Sequence, residues 1–99
     1  MKDVFLSAIH SKNKVKIKFY SKKDEKKVER KCAPLDYGPS KRAKEKDERF
    51  HVWDYEGEKG PHTSSLTIDQ VLGITVLEEV FDPKTIVTWT PDWIISRAW

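Results

Sequence analysis

Apolar and polar residues alternate most cleanly over residues 14–20, where Val15, Ile17 and Phe19 interleave with Lys14, Lys16, Lys18 and Tyr20. A period of two predicts a β-strand with one buried and one wet face, the wet face carrying three lysines and a tyrosine. Upstream, Val4, Phe5, Ala8 and Ile9 share one helical face and Asp3 can cap it, so a short helix opens the chain and fails at residues 11–13. After the polar turn 21–26, residues 27–33 read as a second strand closing a hairpin. Pro34, which has no N–H to give, should end its ladder. Val28, Arg30 and Cys32 share one face of that strand, which puts Arg30 at a barrel mouth or reaching past an edge.

Residues 37–40 read as a turn, and the mixed-charge run 41–48 as a solvated, mobile loop. A third strand spans residues 49–55, with Phe50, Val52 and Asp54 on one face and Arg49, His51, Trp53 and Tyr55 on the other. Residues 62–68 suggest a fourth strand. Asp69 can cap a helical turn closed by Gly73, and the β-branched run 74–81 gives a fifth strand stopped at Asp82-Pro83. Residues 85–89 look extended. Thr90 with Pro91 then resembles a helix start, which predicts a terminal helix over residues 92–99. The order of elements predicts a mainly β domain, a closed or partly open barrel of five short strands with flanking short helices.

Ninety-nine residues allow one small domain. Eleven aromatics give it large buried areas per residue, so a compact core forms despite 35% charged residues. No segment approaches a membrane span, and the start is too short in apolar residues for a secretory signal. The single cysteine, Cys32, excludes an internal disulfide and fits a reducing cytoplasm. Charge is uneven along the chain. Residues 1–50 hold 16 Lys/Arg against 8 Asp/Glu, a net +8, and residues 51–99 hold 3 against 8, a net −5. Such asymmetry points to anion or nucleic-acid contact, or else to lysines solvating an exposed hairpin.

Leu6-Ser7-Ala8-Ile9, residues 15–20, Arg30, Pro34-Leu35, Phe50-His51-Val52, residues 66–71 and residues 77–83 follow one another in an order that resembles a WYL domain, a ligand-sensing module of bacterial transcriptional regulators. The resemblance covers residues 3–83 and implies an Sm-like, SH3-type five-stranded barrel. It also implies binding of a nucleotide, oligonucleotide or other anionic effector, with Tyr20 and Arg30 at family positions and Phe50-His51-Val52 in place of the eponymous tripeptide. Thr67 and Gln70 stand where the family carries arginines. The family's DNA-binding domain has no room in 99 residues.

The candidate ligand-binding residues are Tyr20, Arg30, Arg49, His51 and Trp53, since arginine offers a rigid fork for phosphate and aromatic faces stack on bases. Alternatively, Trp53 and Tyr55 belong to a second small core under the tail, with Arg49 snorkelling. Lys14, Lys16 and Lys18 are candidates for nucleic-acid contact, or else edge lysines that keep strands of different molecules apart. The three histidines and Cys32 show no zinc-ligand spacing, no phosphate-binding glycine loop is present, and Cys32 lacks a catalytic context, so a non-enzymatic module without cofactor or metal is expected. The chain divides into a barrel domain, residues 1–83, and a Trp-rich extension, residues 84–99. That extension either packs on the barrel or docks on a second copy or a DNA-binding partner.

Overall fold

A computed structural model describes residues 1–40 and 47–99. The helix α1 (Lys2–Ser11) precedes strands β1 (Asn13–Ser21), β2 (Lys26–Pro39), β3 (Glu48–Asp54), β4 (His62–Thr67) and β5 (Val71–Val80). Single 3-10 turns occupy Ile68–Gln70 and Pro83–Thr85. All strand pairs are antiparallel and form one sheet in the order β4-β3-β2-β1-β5. The sheet is open, with β4 and β5 as its edges. The expected loop at 41–48 falls largely outside the described residues.

In α1, Phe5, Ala8 and Ile9 are buried, as their i, i+3, i+4 spacing requires. Val4 is exposed and Asp3 lies inside the first turn rather than at the cap, where its charge still favours the positive end of the helix dipole. The helix ends at Lys12, in the left-handed region with φ 60°. The Lys12 carbonyl accepts from the Phe81 N–H at 2.9 Å, which ties the helix end to the end of β5.

β1 follows its period of two, with Val15, Ile17 and Phe19 buried. β2 departs from expectation because it runs straight through Pro34 to Pro39. The reason lies in its neighbours. Residues 26–32 pair with β1 and residues 32–39 pair with β3, so β2 changes partner at Cys32. Pro34 sits beyond that hand-over, where β1 no longer asks for an N–H, and a register shift between Pro34 and Asp36 adjusts the ladder to β3. The turn expected at 37–40 is therefore largely strand.

The Ile68–Gln70 turn is capped by Thr67 rather than Asp69. The Gln70 side-chain oxygen accepts from the Thr67 N–H at 3.0 Å. Gly73 does not close this turn but lies within β5, which starts at Val71.

The inner face of the sheet and α1 enclose the main core: Phe5, Ile9, Val15, Ile17, Phe19, Cys32, Tyr37, Phe50, Val52, Leu66 and Val71 among others. Phe50 is its centre, meeting Phe5 and Tyr37 edge-on at 4.9 and 5.1 Å. The Tyr37 hydroxyl donates to Glu48 at 2.7 Å, and burial followed by this bond pushes its pKa up to about 12.

A second core lies on the outer face, where Ala33, Leu35, Phe81 and Ile86 are buried against Trp53, Tyr55, Val87, Trp93 and Trp99. The tail thus packs on the sheet. The terminal helix expected over 92–99 is absent, and residues 86–99 hold no regular element.

Its backbone donors have other partners. The buried Asp36 carboxylate accepts from the Ile94 and Ile95 N–H groups at 2.8 and 3.0 Å, and from Arg97 Nη2 at 3.0 Å. Arg97 also donates to the Leu35 and Ile95 carbonyls, and it lies 4.2 Å over the Trp93 ring and 4.6 Å over Trp99. The Trp99 indole donates to the Ile9 carbonyl at 2.8 Å. An isolated eight-residue helix is marginal in water and cannot compete with these bonds. Gly38, with φ 142°, lies under Ile94, whose Cδ1 a Cβ there would meet at 2.7 Å.

Two predictions follow from this packing. Asp36→Ala should destabilise the fold by about 3–5 kcal/mol in urea unfolding, because it strands a buried guanidinium, and Asp36→Ala/Arg97→Leu should recover part of that loss. For Tyr37, the raised pKa means that the unfolded chain releases its proton first. Stability should therefore fall as pH rises from about 10 to about 12, and Tyr37→Phe should remove that component of the pH dependence.

Candidate functional site

The sheet faces differ in chemistry, and each carries a cavity. The inner-face cavity, about 440 Å³, opens between the β1–β2 turn, residues 58–62 and β4. Phe19 and Leu66 contribute its apolar wall. Lys22, Lys23, Arg30 and Lys59 line it with His62, Ser21 and Ser64, opposed by Asp24, Asp54 and Glu58. Arg30 belongs to the inner face because it pairs with Ile17 across the hairpin. Its Nη1 donates to Asp54 at 3.2 Å and to the Glu56 carbonyl at 3.1 Å, and its Nη2 lies 3.7 Å from Asp24. Arg30 therefore neutralises a buried carboxylate first, and the exposed Lys22, Lys23 and Lys59 hold the accessible positive charge.

The five candidate ligand residues are not brought together. Arg49, His51 and Trp53 share the outer face of β3, opposite to Arg30. Arg49 lies 3.4 Å from Asp47. His51 lines the outer-face cavity, and Trp53 packs against the second core with Tyr55, so the second-core alternative describes this pair. Tyr20 is exposed on β1 and lines neither cavity.

The lysine row lies on an inner strand, between β2 and β5, and so guards no edge. Its charges meet acids across the ladders. Lys14 reaches Glu79 at 3.5 Å and sits 4.7 Å over the Tyr55 ring, and Lys16 is 3.8 Å from Glu29. Lys31 joins the cluster at 2.7 Å from Glu79, whose carboxylate pKa is lowered by that bond. Lys18 is exposed beside this mixed-charge surface.

No family model, curated protein or solved structure matches this chain.

Two groups of residues escaped the sequence reading. Lys22, Lys23, Lys59, His62, Ser21 and Ser64 look like solvated turn and edge residues until the fold gathers them around one cavity. Asp36 and Arg97 carried a readable signal, a lone acid inside the apolar run 33–37 that demands a cation. Among the described residues, no group of three His, Cys, Asp or Glu side chains could hold a metal.

Cys32 is fully buried at the centre of β2. Burial, reinforced by Asp54 and Glu56, pushes its thiol far above the ordinary range, which removes the thiolate needed of a nucleophile. A disulfide-exchange reagent should accordingly leave native Cys32 untouched for hours and titrate one thiol once the chain is unfolded in denaturant. Rapid reaction of the native protein would contradict this placement.

Proposed function

We propose that the chain is a non-enzymatic binding module that recognises an anionic effector, a nucleotide, oligonucleotide or single-stranded nucleic acid, in the manner of a WYL-like regulatory domain. In this reading the open five-stranded sheet is a partly open barrel of the Sm-like or SH3 type, its edges β4 and β5 linked by the Ile68–Gln70 turn. The observation that carries the reading is the inner-face cavity, where exposed Lys22, Lys23 and Lys59 surround hydroxyl donors and an apolar wall. Phosphate oxygens would meet the lysines and the serine hydroxyls, and a base would lie against Phe19 and Leu66. Thr67 and Gln70 cap a backbone turn, so a cation missing at those positions is replaced by the turn lysines rather than by neighbours on β4.

The alternative, an assembly subunit that docks through its tail, is weaker. Trp93 and Trp99 are spent inside the second core, which leaves Trp89 and Ile94 as the exposed apolar groups of that segment.

The decisive measurement is fluorescence anisotropy of a labelled single-stranded oligonucleotide at two salt concentrations. Binding should weaken at least tenfold between low and high salt, and Lys22→Glu/Lys23→Glu should weaken it by a similar factor without changing the unfolding midpoint. Lys16→Glu/Lys18→Glu should have the smaller effect. No saturable binding at low salt, or binding indifferent to reversal of the turn lysines, would sink the proposal.

A further inference from the structure

β5 is the edge strand beside β1, and among the described residues no other strand pairs with it. Its outward N–H and C=O groups are a template for a further strand. Sheet edges are commonly shielded by lysine or proline, yet residues 71–80 contain neither. Leu72, Val76 and Val80 are exposed there instead. Val76 stays 41% exposed although Val15, its partner across the ladder, is fully buried. The other edge, β4, exposes the polar His62, Thr63 and Ser65.

The ladder to β1 limits where a further strand can lie. Register shifts at both ends leave residues 73–76 as the regular stretch, with Gly73 opposite Lys18, Ile74 opposite Ile17, Thr75 opposite Lys16 and Val76 opposite Val15. A two-fold axis through Thr75 sets this stretch against a second copy of itself in antiparallel register. Ile74 then faces the partner's Val76, an aliphatic pair formed twice, and Thr75 faces the partner's Thr75. On the outer face Gly73 leaves a gap, since nothing lies within 4 Å of the place a Cβ would take. The partner's Leu77 is opposite that gap. Charge agrees with the same register. β5 ends in Glu78 and Glu79, whereas the exposed Lys18 borders its Gly73 end. Two-fold pairing brings the acids of each strand towards the lysine of the other and sets no two like charges of β5 face to face.

We infer that β5 is the interface of a two-fold homodimer, in which the sheets of two copies become continuous across their β5 edges with Thr75 on the axis. The occupant is a second copy of this chain because apolar positions, the gap at Gly73 and the charges all complement their own image. The regular stretch is short, so the dimer is weak and forms at micromolar to submillimolar concentration. No residue of β5 lines either cavity, and the interface is separate both from the anion site proposed above and from the tail.

Sedimentation velocity of the full chain from micromolar to submillimolar concentration tests the inference. Monomer should give way to dimer and to nothing larger. Thr75→Lys sets two ammonium groups face to face on the axis, beside the Lys16 of each copy, and should weaken the dimer about tenfold or more without changing the unfolding midpoint. Directly opposed Cα atoms of an antiparallel pair lie about 4.5–5.5 Å apart, within reach of a disulfide. Thr75→Cys should therefore cross-link to its own copy under mild oxidation, while Thr63→Cys on β4 should remain uncoupled and the fully buried Cys32 should not compete. The cysteine variant reads the contact independently of whether the lysine variant folds. The inference is overturned if the chain is monomeric at every concentration, if assemblies grow beyond the dimer, if a folded Thr75→Lys associates as the parent does, or if Thr63→Cys cross-links in place of Thr75→Cys.

Discussion

The buried ion pair between Asp36 and Arg97 is the constraint on which the outer half of the molecule depends. The Arg97 side chain is 1% exposed and that of Asp36 8% exposed, so neither charge has water to fall back on. Two charges so placed are tolerated only when the remaining lone pairs and protons are also satisfied. Here they are: the carboxylate takes two backbone N–H groups and the guanidinium, while the guanidinium takes two carbonyls and lies over two indole rings. Burial lowers the Arg97 pKa and Asp36 opposes that shift, which keeps the cation in place. The tail's path, the second core and the wall of the outer cavity all follow from this one arrangement.

Local pattern revealed what local forces decide. The period of two in β1, the buried trio of α1 and the two faces of β3 were readable because each repeats over several residues. Pro34 misled because its effect depends on a neighbour the chain has not yet supplied: a missing N–H costs a ladder only where a partner strand needs it. The tail misled for a related reason. Thr90-Pro91 is a sound helix start, but an acid 58 residues away claims the N–H of Ile94.

The candidate site was less legible than the fold. The residue types that suggest phosphate recognition do not converge, because strand alternation distributes Arg30 and His51 to opposite faces and packing draws Trp53 under the tail. Lysines that seemed aimed at a polyanion meet Glu29 and Glu79 across the ladders. The cations that do surround a cavity come from a turn and a loop, whose sequences carry no period and whose convergence is purely tertiary.

The hydrogen bond from Trp99 to the Ile9 carbonyl joins positions 90 apart in the chain. Loop closure over such a separation comes late, after the local hairpins have formed and shortened the path between the ends. The main core can assemble from α1 and the sheet, while the outer face waits with Leu35, Phe81 and Ile86 uncovered. A chain whose Arg97 is not seated on Asp36 leaves Leu35, Phe81 and Ile86 uncovered, so loss of that one pair would present an apolar sheet face to other molecules.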